Sequence, residues 1–120
     1  MANEVIISGT LAFASAGVSV TLSNSSTPSP AEVESLEINM NVGTGDESVT
    51  LGDLSAPGYI MVKNLDATNY VQMGPDGSSY PIKIPAGEAA GPMLWNAAAV
   101  HLKANSSACN CVIVITGAPA

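Results

Sequence analysis

The sequence has no arginine. Its only strong cations are Lys63, Lys83 and Lys103, scattered singly, against ten acidic residues, and the formal net charge is −7. Gripping a phosphate backbone takes clustered Lys and Arg that release counterions, so nucleic acid is not an expected partner. The same shortage argues against anionic membrane surfaces. It also leaves few possible internal ion pairs, so stability has to come mostly from burial and backbone hydrogen bonds. Aromatics are scarce, with one Trp, one Phe and three Tyr, which is poor material for the stacking platforms that carbohydrate sites favour. There is a single histidine, His101, and only two cysteines, Cys109 and Cys111. A C-x-C pair inside a strand shares one face, but a disulfide between its members would be strained. Two thiols and one imidazole cannot complete a tetrahedral zinc site, so both cysteines read as buried free thiols. No apolar run reaches the roughly 18 residues of a membrane-spanning helix. Met1-Ala2-Asn3-Glu4 is acidic where a signal peptide is basic, and synthesis in a cytoplasm is the expectation.

What is present is hydrophobic residue in quantity, 47% of 120, with only 11% charged. That composition excludes a disordered chain and fits one domain over residues 1–120. The densest structural signal runs from Leu51 to Gly74. Tyr59–Asn64 and Asn69–Met73 are rich in aromatic and β-branched residues, and the polar Leu65-Asp66-Ala67-Thr68 lies between them. Pro57-Gly58 and Gly74-Pro75 punctuate the two ends. The pattern predicts a hairpin, with Tyr59 and Tyr70 anchoring it.

Strand-period alternation recurs on both sides. Val5, Ile7, Leu11 and Phe13 share what should be an inner, covered face, the phase flips at Ser15-Ala16-Gly17, and Val18, Val20 and Leu22 resume it, as a hairpin requires. Ser23–Pro30 is a Ser/Pro-rich loop, or else a linker that would make 1–22 an N-terminal arm. Ser29-Pro30 could open a helical turn over 31–37, but Leu36, Ile38, Met40 and Val42 alternate cleanly and favour a strand over 36–42. Short strands follow at Val49–Leu51, Tyr80–Ile84, Pro92–Trp95 and Val100–Ala104. Pro81 and Pro85 cannot donate to a ladder, so Tyr80–Ile84 is expected at a sheet edge or beside a loop. Cys111–Ile115 is apolar throughout and predicts a central strand covered on both sides. About nine short strands and no helix of useful length predict an all-β, antiparallel two-sheet sandwich of jelly-roll or Greek-key type.

The chemistry-bearing candidates are few. Asp46, Glu47 and Asp53 form an acidic cluster near the Gly43–Gly45 turn that could collect oxygens around Ca²⁺, or simply be a solvated turn. Asp66 and Asp76 are turn-type aspartates. His101 lies beside no nucleophile signature, and Gly43-Thr-Gly-Asp46 lacks the lysine and helix of a phosphate loop. Asn24-Ser25-Ser26 and Asn105-Ser106-Ser107 match the glycosylation pattern but read as polar turns. No catalytic, cofactor or metal residue is assigned, and no enzyme is expected.

Several segments taken together carry a resemblance. Leu51-Gly-Asp-Leu54, Gly58-Tyr-Ile-Met-Val-Lys-Asn-Leu-Asp-Ala-Thr-Asn-Tyr-Val-Gln-Met-Gly74, Pro85-Ala-Gly-Glu88, Lys103-Ala-Asn105 and Cys111-Val-Ile-Val-Ile115 resemble a family of small tailed-bacteriophage virion proteins, over most of residues 36–116. The resemblance implies a structural role, with a capsid decoration (cement) protein as the first choice. It implies a homo-oligomer, expected to be a trimer, on the outside of the head shell against the major capsid protein, with residues 1–22 as a gripping arm. The composition agrees with an exterior position, because an acidic chain without arginine suits a DNA-lined interior badly, and closed rings bury apolar surplus. The alternative is a tail or fibre module that binds host surface glycans. A glycan hydrolase would need two of Asp46, Asp53 and Glu88 about 5–9.5 Å apart in a cleft.

Overall fold

A computed structural model of the chain describes residues 6–27, 35–52, 54 and 57–117. The described residues form ten strands: β1 (Ile7–Ser15), β2 (Val18–Ser26), β3 (Ser35–Val42), β4 (Glu47–Ser48), β5 (Pro57–Asn64), β6 (Val71–Gly74), β7 (Ile82–Ile84), β8 (Ala89–Leu94), β9 (His101–Ala104) and β10 (Cys109–Gly117). All pairings are antiparallel. The first sheet has the order β3-β10-β5-β8 and the second β4-β9-β6-β7, while among the described residues β1 and β2 pair only with each other. From β3 to β10 every connection changes sheet except β6–β7. Eight strands wound this way into two facing four-stranded sheets are a jelly roll.

The core follows from alternation. Cys109, Cys111, Ile113 and Ile115 point inward from β10, and Ile60 and Val62 from β5. They meet Val71 and Met73 of β6, Ile84 of β7, and Leu102 and Ala104 of β9 from the opposing sheet. β3 obeys its pattern, with Leu36, Ile38 and Met40 half-buried and Val42 fully buried. The described part of 31–37, from Ser35 on, is strand, and the alternative helical turn over 31–34 lies outside the described residues.

The expected hairpin of Tyr59–Asn64 with Asn69–Met73 does not form. β5 pairs with β10 and β8, whereas β6 pairs with β9 and β7 in the other sheet. The connection is an arch across the core, and Asn64 is the reason. Its side chain occupies an inward position with no solvent exposure. There Nδ2 donates to the carbonyls of Asn69 (2.8 Å) and Ile84 (3.1 Å), and Oδ1 accepts the Asp66 N–H at 3.0 Å. The Asp66 carboxylate then accepts the N–H groups of Thr68 (3.0 Å) and Asn69 (2.7 Å). Backbone groups that a hairpin would pair strand to strand are instead satisfied by two side chains. Tyr59 therefore sits on β5 of the first sheet, whereas Tyr70 lies in the connection, one residue before β6.

Other boundaries also shift. β4 is Glu47–Ser48 rather than Val49–Leu51, although the Val49 N–H still reaches the Val100 carbonyl at 2.9 Å. β8 starts at Ala89, before the expected Pro92, because a register shift against β5 and a positive φ of 90° at Gly91 carry the chain past Pro92 on an edge. β7 is likewise an edge strand, one of the two positions its flanking prolines allow. β10 is central in its sheet, but only one face is covered: Val114 remains 41% exposed. Gly74 is needed where β6 turns, since a Cβ there would collide with the Ser79 carbonyl.

Candidate functional site

The second sheet is polar outside. His101 and Lys103 project from β9, and Lys83 and Lys103 both register with Gln72, one from each side. Two of the three lysines, separate in sequence, thus share this face. Lys103 Nζ lies 4.6 Å above the Tyr80 ring and Lys83 Nζ 4.4 Å above that of Tyr70, so each ammonium covers an aromatic face.

Asp46 joins this face instead of a metal cluster. Its carboxylate accepts the Tyr80 hydroxyl and lies 3.0 and 3.1 Å from His101 Nδ1. The Tyr80 hydrogen bond, followed by His101, holds Asp46 below the usual carboxylate value, and the same bond pushes the Tyr80 phenol up to about 12. A phenol that firmly protonated is no base or nucleophile at neutral pH. What the trio does is tie the turn before β4 to β9 and to the loop before β7. Glu47 turns the other way, accepting the Gly43 N–H, and Asp53 lies outside the described residues. Among the described residues no three His, Cys, Asp or Glu side chains are placed to hold a metal ion. Asp76 accepts from Ser78 (2.8 Å) and closes its own turn, and Glu88 is exposed in the turn before β8, where its carbonyl accepts the Asn64 N–H at 2.9 Å. Asn105 Oδ1 accepts the Tyr70 N–H at 3.0 Å. Asn24 and Ser25 lie within β2 rather than in a turn.

Cys109 and Cys111 are free, buried and on one face of β10. Burial raises both thiols, Cys111 to about 11. They are packing residues, as their sequence setting implies.

The unusual surface belongs to the arm and the first sheet. β1 and β2 meet through a two-residue turn with positive φ at Ala16 (48°) and Gly17 (84°), which matches strand twist. Leu11 faces Leu22 and Phe13 faces Val20, and Val18 continues the alternation of Val20 and Leu22, so five large apolar side chains share one face. The expectation of a covered inner face is overturned. Their exposures are 76% (Leu11), 71% (Leu22), 60% (Phe13), 59% (Val20) and 55% (Val18). Serines, threonines and alanines fill the reverse face, and residues 7–26 contain no charged side chain.

Ile7 is the arm's one buried hydrophobic residue. With Ile6 and Ser8 it borders an open groove of about 540 Å³ whose floor is the outer face of the first sheet: Tyr59, Met61, Pro92 and Val114. Met61 registers with Val114 and Tyr59 with Leu94, and Met61, Leu94 and Val114 are each at least 40% exposed. The apolar face of the arm and the patch of Tyr59, Met61, Leu94 and Val114, which Lys63 and Glu37 border on the same outer face of the first sheet, are the candidate site. It can bind apolar surface, and it presents no reactive group.

Fold and surface together define a jelly-roll sandwich with an appended apolar arm. No family model, curated protein or solved structure matches the chain.

Sequence reasoning placed Asp46 with Glu47 and Asp53 and missed Tyr80 and His101, which are 34 and 55 residues away. It identified the arm's apolar positions and misjudged what covers them.

Proposed function

We propose that this chain is a non-enzymatic capsid decoration (cement) protein of a tailed bacteriophage, a homotrimer on the outer face of the head that binds the major capsid protein. The observation that carries the reading is the charge-free arm with its row of exposed large apolar residues, beside the exposed apolar patch of Met61, Leu94 and Val114, in a chain of net charge −7. Surfaces depleted of charge and enriched in apolar side chains are what interface cores are made of, and a patch this large on a monomer marks a binding surface. The jelly roll supplies a rigid body, the acidic balance suits an exterior away from packaged DNA, and the resemblance in the Gly58–Gly74 stretch points to a virion.

The mechanism is mass action. A ligand that binds only the assembled shell stabilises it by RT ln(1 + [L]/Kd), about 2.7 kcal/mol per site at a hundredfold excess over Kd. Bridging neighbouring capsid subunits requires no reaction.

The test mixes purified protein with heads of the encoding phage that lack it. Saturable co-sedimentation with heads, and heads that survive a higher temperature, are expected. Protein that stays in the supernatant at every concentration overturns the reading. Binding to host-cell glycans with no head binding would favour the fibre alternative, for which the lysine-covered tyrosine rings of the second sheet are poor platforms.

A further inference from the structure

We infer that the open edge of β3 pairs with β3 of a second copy across a two-fold axis, joining the two first sheets into one. The inference goes beyond the function proposed above, because a two-fold contact cannot close a ring of three. It pairs monomers, or it pairs trimers into a hexamer.

The edge of a sheet accepts another strand unless something blunts it. Three of the four edges of this sandwich are blunted. β4 is only Glu47–Ser48. β7 is only Ile82–Ile84, held between Pro81 and Pro85. β8 contains Gly91 and Pro92 and shifts register against β5. β3 has none of these features. Ser35–Val42 contains no Pro, Gly or Lys and runs along β10 without a register shift. Among the described residues no strand pairs with its far side. A regular strand of this length offers an incoming strand a row of backbone donors and acceptors.

The pattern of β3 identifies the occupant. Leu36, Ile38 and Met40 point inward yet are only half-buried, while Ser35, Glu37, Asn39 and Asn41 are exposed on the outer face. An added strand has to match both faces. An antiparallel copy centred on Ile38 does so: Ile38 meets Ile38, Leu36 meets Met40, Glu37 meets Asn39 and Ser35 meets Asn41. A centre at Asn39 would instead aim Leu36 at Val42, which is already fully buried. The Ile38 centre keeps the one charge of the strand off the axis, so Glu37 faces an amide. Parallel pairing would set glutamate beside glutamate, which is unfavourable. A second copy also arrives with its own half-covered Leu36, Ile38 and Met40, so each open flank of the core covers the other. The joined sheet has eight strands, within the usual limit of about ten. Pairing over Ser35–Asn41 alone is a small contact, at the weak end of specific interfaces below about 1,200 Å², and therefore depends on concentration.

The experiment uses full-length protein without heads. Sedimentation over a range of concentrations should show reversible pairing, of monomer to dimer or of trimer to hexamer. Asn39→Glu sets a carboxylate against Glu37 of the other copy twice over, and should raise the dissociation constant of that step by about tenfold. Adding Glu37→Lys should restore pairing, because each new carboxylate then faces an ammonium. Circular dichroism should stay native in both variants, since both side chains are exposed. Glu37→Cys protein mixed with Asn39→Cys protein should give more disulfide-linked dimer under mild oxidation than either alone. Facing positions lie within disulfide reach, and Cys109 and Cys111 are buried. Three results overturn the inference: no dimer or hexamer at any concentration up to about 1 mM, pairing that Asn39→Glu leaves unchanged, or natively folded Asn39→Glu protein that Glu37→Lys fails to restore. A trimer that never pairs yet decorates heads would refute the two-fold contact and leave the decoration reading standing. Paired protein that ignores heads would do the reverse.

Discussion

Replacing Asn64 with alanine tests the corner that makes this chain a jelly roll. The fully buried amide makes three hydrogen bonds, to the Asn69 carbonyl, the Ile84 carbonyl and the Asp66 N–H. Each contributes about 1 kcal/mol net, and buried groups left without partners lose at least that much, so the substitution should destabilise by about 3 kcal/mol. At this chain length about 4 °C of Tm accompanies each kcal/mol, giving a fall of about 12 °C. Thermal unfolding followed through Trp95, which is buried and donates to the Ala99 carbonyl at 2.8 Å, measures it. Asn64→Asp sharpens the test. It keeps the acceptor for Asp66 but sets a carboxylate against two carbonyls, so its folded pKa should rise above the unfolded value of about 3.9. A raised carboxyl contributes stability that is complete below the unfolded value and lost as pH rises through the folded one. This variant should therefore be nearest to wild type in acid and worst at neutral pH. An Asn64→Ala protein within about 2 °C of wild type would show that the arch is held by something else.

Asp46, Asp66 and Asp76 all lie below the ordinary carboxylate value of 3.8, through hydrogen bonds from Tyr80, the Asn69 N–H and the Ser78 N–H respectively. Each contributes stability that is present above that value and lost as pH falls through its depressed one. Acid unfolding should therefore set in below about pH 4, and an acid titration of Asp66→Asn should show a shallower limb; an unchanged limb would contradict this. Tyr80, raised from 10.0 to about 12, behaves oppositely: its contribution is complete below pH 10 and lost as pH rises through about 12, and Tyr80→Phe should abolish that loss in an alkaline melt. Both thiols should be silent to a disulfide reagent in the native protein near about pH 8 and react fully in denaturant, because burial disfavours the thiolate; rapid native reaction would refute it. Gly74→Ala should lower Tm by several degrees, since its Cβ meets the Ser79 carbonyl, and an unchanged melt would contradict that reading.

Alternation in β3, β9 and β10 told which side chains face inward, and the flanking prolines limited β7 to an edge or a place beside a loop. Alternation reports a face and not a partner, and that limit explains the main error. Leu65–Thr68 reads as well for an arch as for a hairpin, and the discriminating signal was an asparagine in the inward series Ile60, Val62, Asn64. The arm failed for a related reason. Leu11, Phe13, Val20 and Leu22 alternate as core residues do, and alternation alone does not tell whether the shared face is covered. Asp46, Tyr80 and His101 were illegible as a group, since only the jelly-roll winding brings the turn before β4, β9 and the loop before β7 together.

The central claim is that residues 7–26 form a binding surface which is covered when the protein is at work. Hydrogen exchange across 7–26, compared between dilute protein and protein bound to heads, addresses it most directly. Strong slowing of exchange in the arm, with little change in the already protected β10, is the expected result. An arm that exchanges equally fast in both states, on heads saturated with protein, would contradict the claim.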